Sequence, residues 1–300
     1  MPKRSVILSV DAGGTSLKYA LLGFNGSFIS ESLAEEVPSF GTKEELLNAF
    51  YSVFSKAIKL AEKDNSSLGA IGIAVPGPFN LAKGKSMMRH KWPALYDVDL
   101  FQAFRSFGIL PEKIPIAFIS DTHAFILGEC IQEKARQYRR ISGIILGTGL
   151  GFGCVADSVP LLNEIGGPRY IIYSKPWKES ILENYVTGPG IAAQYQKKTG
   201  QSLSAKDIGA LARQGISEAV FIYNNAGTFL AENIREILME FGTECLVFGG
   251  KVSRDYDLFR SSFEQTLGNI PELKLIYASE KPETSAMLGA ATLMKNRRDL

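Results

Sequence analysis

The sequence has little cysteine and histidine, which limits its metal and redox chemistry. The cysteines Cys130, Cys154 and Cys245 are far apart, and no two of them form a CxxC pair. An odd number of separated cysteines argues against a disulfide framework, so we expect buried, small apolar residues. The two histidines, His90 and His123, could serve a zinc site of the usual Cys/His kind only together with distant residues. We interpret His123 as an early helix residue that makes a local hydrogen bond, and His90 as a loop residue.

The chain also lacks a strong net charge and a long apolar run. Lys plus Arg number 33 and Asp plus Glu 31, a formal charge of +2, which is too balanced for a general nucleic-acid or membrane-surface binder. No apolar stretch approaches the roughly 18 residues of a membrane helix, and the apolar segment 6–10 stops at Asp11, too soon for a secretory signal. We therefore expect a cytoplasmic protein without nucleic-acid or membrane partners.

Apolar residues and glycine are plentiful. Of 300 residues 45% are apolar, which predicts a globular protein whose length suggests two domains, and a cleft between two domains is a common place for a ligand. The glycines concentrate in clusters that follow apolar runs. Strand-like runs at 5–10 and 17–22 flank the turn 11–15, and a related strand, glycine turn and strand unit covers 142–156. These two hairpins predict two similar domains.

Helix ends are readable between and after the hairpins. A capping box at Thr42 and Glu45 opens one amphipathic helix, and Ser120 or Asp121 opens another that we expect over 122–138. Further expected elements are a helix from Pro189 to Gly200, a helix from Ser204 to near Gly215, a long helix Ser217–Phe241, a buried strand Cys245–Phe248 and a helix capped by Ser253. This alternation predicts an α/β fold with a mixed sheet in each half. With hinges near Ser120 and Ser285, it predicts a small domain of 1–119 plus 286–300 and a large domain of 120–285.

The glycine clusters match neither common nucleotide-binding motif. The run Gly147-x-Gly149-x-Gly151-x-Gly153 is followed by a strand and not by the helix that a dinucleotide loop opens, and GxxxxGK[ST] is absent. A nucleotide would therefore be held by hairpin turns whose backbone N–H groups converge on phosphates. Asp11 could hold Mg²⁺ and Thr15 could reach a phosphate. Alternatively, Asp11 forms a turn, Lys18 is a solvated strand residue, and each glycine turn is purely structural.

Taken together, the motifs resemble the ROK-family sugar kinases from end to end. The matching segments, in order, are 11–18 (DAGGTSLK), 72–78 (GIAVPGP), 120–124 (SDTHA), 147–149 (GTG), 163–166 (NEIG), 182–188 (LENYVTG), 248–253 (FGGKVS) and 286–291 (AMLGAA). The resemblance implies the two-domain actin-like ATPase (ribonuclease H-like) fold, with ATP and a sugar in the cleft between the domains. It also implies an ATP-dependent sugar kinase that uses Mg²⁺, and a homodimer.

The resemblance assigns expected roles to individual residues. Asp121 is the expected catalytic base that takes the proton of the sugar hydroxyl, although an N-cap Asp is the structural alternative. Expected sugar-binding residues besides Asp121 are Gly77, His90, Ser120, Glu164 and Glu183. Expected nucleotide-binding residues are Gly13, Gly14, Thr15, Lys18, Gly147, Thr148, Gly149, Gly188, Gly249 and Gly250, with Asp11 at the metal.

The sequence also departs from the family pattern. Ser120 stands where the family usually has Asn, Gly167 stands where it usually has His, and the segment 173–181 lacks the CxCGxxGC zinc knuckle. We therefore expect no structural zinc, and packing of Trp177 and Tyr173 in its place.

The cluster Met88–Trp92 predicts a substrate-specificity loop with an aromatic platform for a sugar face, or else a surface or dimer contact. In the first case, His90 replaces the missing imidazole. The departures leave the sugar open, with a glucose-like aldohexose phosphorylated at O6 as the family default. The alternative function is a non-catalytic sugar- or nucleotide-binding regulator on the same fold.

Overall fold

A computed structural model describes residues 3–296, which divide into two compact units. Unit 1 contains the described residues up to Gly128, the segment Leu162–Gly167 and the described residues from Glu283 onward. Unit 2 contains Glu129–Leu161 and Pro168–Pro282. Each unit has its own sheet and its own hydrophobic core, so we describe each by itself.

Strands and helices alternate along the described residues. The strands are β1 (Arg4–Ala12), β2 (Ser16–Gly23), β3 (Leu33–Glu36), β4 (Ser66–Val75), β5 (Phe79–Asn80), β6 (Lys85–Ser86), β7 (Ile116–Ser120), β8 (Arg140–Leu146), β9 (Leu150–Ala156), β10 (Val159–Pro160), β11 (Pro176–Trp177), β12 (Ser180–Ile181), β13 (Cys245–Gly249) and β14 (Leu275–Ala278). The α-helices are α1 (Lys43–Lys63), α2 (Leu100–Arg105), α3 (Asp121–Cys130), α4 (Glu183–Val186), α5 (Gly188–Thr199), α6 (Ala205–Arg213), α7 (Ser217–Phe241), α8 (Tyr256–Leu267) and α9 (Pro282–Asn296). Short 3-10 helices cover Pro93–Leu95 and Val252–Asp255.

The main sheets of the two units repeat one strand order. In unit 1 the order is β3-β2-β1-β4-β7, and in unit 2 it is β10-β9-β8-β13-β14. In each sheet a glycine-turn hairpin, β1–β2 or β8–β9, is antiparallel, and the first strand of the hairpin pairs in parallel with a later strand. The α/β class, the mixed sheets and both hairpins are thus confirmed.

The core of unit 1 forms around α1. The predicted capping box opens this helix: the Thr42 N–H donates to Glu45 Oε2 at 2.7 Å, and the Glu45 N–H donates to Thr42 Oγ1 at 3.2 Å. Apolar side chains at helical spacing then bury one face, where Phe50 and Phe54 each pack on Phe104 with ring centroids 5.0 Å apart. Because the repeat of apolar positions matches the helix period, this element was predictable from sequence.

The core of unit 2 forms around α7, whose predicted bounds are confirmed. The helix stops at Gly242, which has a φ of 68° that favours glycine. The predicted helix between Pro189 and Gly200 is also confirmed as α5, which begins after the N-cap Thr187 and ends at Gly200 with a φ of 77°. The helix predicted to begin at Ser204 is α6.

Two predicted elements are wrong. The helix expected over 122–138 ends at Cys130, and beyond it the chain forms tight turns, in which the Gln132 N–H donates to the Glu129 carbonyl at 2.9 Å and the Ala135 N–H donates to the Gln132 carbonyl at 3.2 Å. In the last turn of the helix, the Glu129 carboxylate accepts from the hydroxyls of Tyr277 and Ser279, each at 2.6 Å. Helix propensity is a weak preference that tertiary packing overrides. Ser253 is not a helix cap: its hydroxyl donates to the Gly249 carbonyl inside a 3-10 turn, and α8 begins only afterwards.

The cysteines are free thiols. Cys154 and Cys245 are buried as predicted, whereas Cys130 is partly exposed. Burial is the largest cause that raises the pKa of each thiol to about 12. These thiols are therefore protonated at neutral pH and poor nucleophiles.

The domain boundaries stay a prediction. The prediction divides the chain into 1–119 with 286–300 and 120–285, whereas the compact unit 1 also includes 120–128, 162–167 and 283–285. The predicted small domain also includes positions 1–2 and 297–300, which lie outside the described residues. Over residues 3–296, no helix has the length and apolar character needed to cross a membrane.

Candidate active site

Three predicted site residues lie at or just beyond the ends of neighbouring parallel strands of unit 1. β1 pairs in parallel with β4, and β4 with β7, so that Asp11 lies opposite Ala74 and Val75 lies opposite Ser120. Parallel strands end at the same edge of a sheet, and such edges are common ligand sites. The structure therefore brings Asp11, Gly77 and Asp121 to one edge, at the carboxyl ends of β1, β4 and β7.

The turn after Asp11 is held by backbone hydrogen bonds. The Gly13 N–H donates to the Ser16 carbonyl at 2.8 Å, and the Thr15 carbonyl accepts from Val37 N–H at 2.9 Å. Lys18 lies directly opposite Asp11 in the hairpin register, and Thr15 is exposed. The turn thus holds a carboxylate and an ammonium group at its base and an exposed threonine near its tip.

Asp11 lies in an electrostatic environment that suits a cation. Burial, then the charge of Asp121, raise the pKa of Asp11 to about 6, against a smaller lowering by Lys18. A partly buried carboxylate with a second carboxylate nearby gains more from a divalent cation than an isolated surface group does. The donor set fits Mg²⁺, which is commonly held by one or two carboxylates together with substrate phosphates.

Asp121 opens helix α3 and bonds to its first turn. Its Oδ1 atom accepts the Thr122 N–H at 2.7 Å and lies 3.2 Å from Thr122 Oγ1. Burial raises the pKa of Asp121, while the hydrogen bond from the Thr122 N–H and the charge of Lys91 lower it. Asp121 is therefore a carboxylate of increased basicity, with Oδ2 left for another proton donor.

Ser120 is buried and turned toward the helix. Its hydroxyl lies 2.9 Å from His123 Nδ1 and accepts the His123 N–H at 3.3 Å. Ser120 thus caps the first turn of α3, just before the candidate base, and the local hydrogen bond predicted for His123 is confirmed. The sequence did not predict that Ser120 and His123 bond to each other, because serine and histidine each occur in many structural roles.

Sequence reasoning missed Lys91. The Cδ of Lys91 lies 3.3 Å from the position that a Cβ would take on Gly14, and its charge acts on Asp121. The aliphatic part of Lys91 thus lies along the first glycine turn, while its positive charge acts on the candidate base. A basic residue two positions after an arginine was the available signal, but it did not distinguish Lys91 from its neighbours.

The expected aromatic platform at Trp92 is wrong. Trp92 is fully buried in the core of unit 1, and its ring centroid lies 5.9 Å from that of Phe50. Its indole N–H donates to the Gly14 carbonyl at 3.2 Å, so this core side chain stabilises the first glycine turn. His90, in contrast, is exposed, and the role expected for it stays a prediction.

Glu164 lies exposed in a tight turn of unit 1. The Asn163 N–H donates to the Gly167 carbonyl at 2.8 Å, and the Gly167 N–H donates to Asn163 Oδ1 at 2.9 Å. A Cβ on Gly167 would lie 3.2 Å from Asn163 Nδ2. Glycine at this position therefore belongs to a closely packed turn, which presents Glu164 to solvent.

In unit 2 the predicted nucleotide residues meet at the carboxyl ends of β8 and β13. The Gly147 carbonyl accepts the Gly188 N–H at 2.9 Å. Gly250 has a φ of 89°, and a Cβ there would lie 2.3 Å from the Leu146 carbonyl oxygen. Only glycine allows this close approach. The structure thus groups Gly147–Gly149, Gly188 and Gly249–Gly250, and Thr148 is exposed at the turn.

Glu183 bonds to this glycine turn. Its Oε2 atom accepts the Leu150 N–H at 2.8 Å, a contact that sequence reasoning missed because the partner is a backbone group. The preceding hairpin, β11–β12, packs as expected through Trp177, whose ring lies 5.7 Å from that of Phe229. Tyr173 is exposed instead, and its backbone carbonyl accepts the Glu183 N–H at 3.2 Å.

The repeated mixed sheets define a class of protein, which comparison with solved structures identifies as the actin-like ATPase fold. A ROK hexokinase from Thermus thermophilus matches with a TM-score of 0.80 at 18% identity, over 98% of this chain and 100% of that chain. A ROK family glucokinase from Streptomyces griseus, in complex with glucose and AMPPNP, matches with a TM-score of 0.74 at 18% identity, over 96% and 98%.

Sequence comparison identifies the family. The ROK family model matches residues 7–166 and 178–297, so the chain belongs to the ROK family. An N-acetyl-D-glucosamine kinase from Haemophilus influenzae (strain 86-028NP) is 25% identical over 308 residues, which cover 95% of this chain and 97% of the relative. The resemblance found in the sequence motifs is confirmed.

Proposed function

We propose that this protein is an ATP-dependent sugar kinase in which Asp121 is the catalytic base. The observation that carries the proposal is the position of Asp121, which follows β7 at the same sheet edge as Asp11, beside Lys91 and the first glycine turn. Phosphoryl transfer needs alignment, stabilisation of negative charge and a proton acceptor, and this edge provides groups for each.

Asp121 accepts the proton of the attacking sugar hydroxyl. Its Oδ1 is held by the Thr122 N–H, so we assign Oδ2 to the sugar. Burial makes the carboxylate more basic, while Thr122 and Lys91 keep its pKa from rising further. Burial and these two partners together set how readily the carboxylate takes the proton of the sugar hydroxyl.

The glycine turns bind the nucleotide. In unit 1 we assign Gly13, Gly14, Thr15 and Lys18 to phosphate oxygens, and in unit 2 we assign Gly147–Gly149 and Gly188 to phosphates and Gly249–Gly250 to the adenosine. The N–H groups of Gly13, Gly147 and Gly188 already donate to carbonyls within the turns, so these three glycines shape the turns and let the phosphates come close, while the remaining turn N–H groups donate to phosphate. Asp11 would hold Mg²⁺, whose chemistry is to neutralise negative charge on the phosphates during transfer. Lys18, opposite Asp11, adds positive charge to the same turn.

Carboxylates bind the sugar. We assign Glu164 and Glu183 to sugar hydroxyls, because one carboxylate can accept hydrogen bonds from two adjacent hydroxyls. Gly77, His90 and Ser120 are proposed as further sugar-site residues, Ser120 by its place beside Asp121, since its hydroxyl bonds to His123. The acceptor that we propose is a glucose-like aldohexose, phosphorylated at O6. Because one relative is named N-acetyl-D-glucosamine kinase, the test must include an N-acetylated hexosamine as an alternative substrate. We further propose a homodimer.

The test is a coupled assay of ADP release with Mg-ATP and a panel of glucose, N-acetylglucosamine, N-acetylmannosamine, fructose and a β-glucoside. We expect one aldohexose to give turnover well above the sugar-free rate, and ³¹P NMR of its product to show the phosphate on O6. Turnover with none of these sugars, under conditions in which the protein is folded, would contradict the kinase proposal. Phosphate on another oxygen would contradict only the O6 assignment.

A further inference from the structure

The short helix α4 contacts the glycine turn of unit 2 from both of its ends. At its first residue, Glu183 Oε2 accepts the Leu150 N–H at 2.8 Å, directly after the turn 147–149. Just beyond its last residue, the Gly188 N–H donates to the Gly147 carbonyl at 2.9 Å. The Glu183 side chain therefore holds the residue after the turn, and the Gly188 backbone holds the first residue of the turn.

The two contact points are fixed relative to each other. Thr187 Oγ1 donates to the Glu183 carbonyl at 2.8 Å, and the same hydroxyl accepts the Gly190 N–H at 3.4 Å. Thr187 is thus bonded both to the start of α4 and to the first turn of α5. As a result, the segment from Glu183 to Gly188 is a short, internally bonded brace.

The turn that this brace contacts needs support. One backbone bond closes the turn on itself, from the Gly147 N–H to the Gly149 carbonyl at 3.1 Å. Gly147 and Gly149 nevertheless have more backbone conformations available than other residues, so contacts from outside the turn add to its order. A hydrogen bond from a backbone N–H to a carboxylate is among the stronger ones, because the acceptor is charged. The Cβ absent from Gly149 would lie 3.1 Å from Glu183 Oε2, so this glycine gives the carboxylate room to approach.

We propose that Glu183 is a positioning residue for nucleotide: its Oε2 holds the turn 147–149 in the shape that binds phosphate, and its Oε1 remains available for the sugar. This inference rests on the proposed function, because it assumes that the turn binds nucleotide. It differs from the sugar role in one consequence. Nucleotide affinity depends on Glu183 even when no sugar is present.

The experiment measures the Kd of Mg-AMPPNP by calorimetry without sugar, for wild type and three variants. Glu183→Ala removes the acceptor, and we expect at least about tenfold weaker binding, which corresponds to the loss of one charge-assisted hydrogen bond. Glu183→Gln keeps an oxygen that accepts the Leu150 N–H, and we expect a Kd within about threefold of wild type. The matched control is Glu179→Gln, on the exposed loop between β11 and β12, which should bind as wild type.

The outcomes separate this inference from the proposed function. Wild type without detectable nucleotide binding would overturn the proposed function and this inference with it. Wild-type binding together with unchanged binding by Glu183→Ala would overturn this inference alone. If Glu183→Ala does not fold, Glu183→Asp replaces it, since the shorter carboxylate keeps the charge but withdraws from the Leu150 N–H. Its nucleotide binding should weaken likewise, and unchanged binding would overturn the inference.

Discussion

Asp11 lies within electrostatic range of Asp121: after burial, the negative charge of Asp121 is the largest cause that raises the pKa of Asp11 to about 6. Two carboxylates held at one sheet edge destabilise each other when both are ionised. The proposed reaction places a cation and phosphates at this edge, and a cation there would relieve the repulsion between the two carboxylates.

The first prediction concerns the stability cost of Asp11. Its ordinary pKa is 3.8 and its folded pKa is about 6, so the charged form is less favourable in the folded chain than in the unfolded chain. This cost is absent below about pH 4, grows between the two values and is complete above about pH 6. In the absence of nucleotide and Mg²⁺, Asp11→Asn should therefore be more stable at neutral pH, by up to about 3 kcal/mol.

Urea unfolding of wild type and Asp11→Asn across this pH range checks the prediction. The difference in the free energy of unfolding should disappear near pH 4. An Asn variant that is less stable than wild type at neutral pH would contradict the assigned environment of Asp11.

The second prediction concerns Lys91. Its charge lowers the pKa of Asp121, so Lys91→Met should raise that pKa and move the acidic limb of the kcat/KM profile to higher pH. We also expect kcat to fall by about ten- to a hundredfold, because a cation beside developing phosphate charge is lost. Lys91→Arg keeps the charge and should keep the position of the acidic limb. An unmoved limb in Lys91→Met would show that the lysine does not act on the base.

The third prediction concerns Ser120. Ser120→Ala removes the hydroxyl that bonds to His123 Nδ1 and accepts the His123 N–H. We expect a loss of about 1–2 kcal/mol in the free energy of unfolding, typical of a lost helix cap and a buried hydrogen bond. Because the adjoining Asp121 is then less well fixed, kcat should fall more than nucleotide affinity. The exposed residue Ser202 provides the control Ser202→Ala, and equal stability of the two variants would contradict the assignment.

The fourth prediction separates backbone strain from close approach at Gly250. Gly200→Ala and Gly250→Ala both place a Cβ on a residue with positive φ, but the new Cβ has free space at Gly200 and would lie 2.3 Å from the Leu146 carbonyl oxygen at Gly250. We expect Gly200→Ala to cost about 1 kcal/mol and Gly250→Ala to cost more. Nucleotide affinity, measured by calorimetry, should fall only in Gly250→Ala. Equal effects of both variants on stability and affinity would contradict the close packing of this turn.

Local patterns in the sequence predicted much of the fold. The bounds of α7, the capping box at Thr42 and both glycine-turn hairpins follow from periodicity, caps and turn chemistry, which are properties of neighbouring residues. The early end of α3 was not predictable from local patterns, since the surroundings of its last turn include Tyr277 and Ser279, far along the chain, whose hydroxyls donate to Glu129.

The site was predictable in its residue types but not in its contacts. Motif order selected Asp11 and Asp121, and the parallel register brings them to one edge. The sequence suggested Trp92 as an exposed sugar platform, whereas it is a core residue that bonds to the Gly14 carbonyl. The bond from the Leu150 N–H to Glu183 was equally unpredictable, since almost every residue type has a backbone N–H.

The most direct test of the account compares wild type with Asp121→Asn for transfer of phosphate from [γ-³²P]ATP to the sugar that the panel selects. If Asp121 is the base, the substitution should slow transfer by about 10²–10⁴-fold while the Kd of Mg-AMPPNP stays near the wild-type value. Transfer at the wild-type rate by folded Asp121→Asn would contradict the central claim.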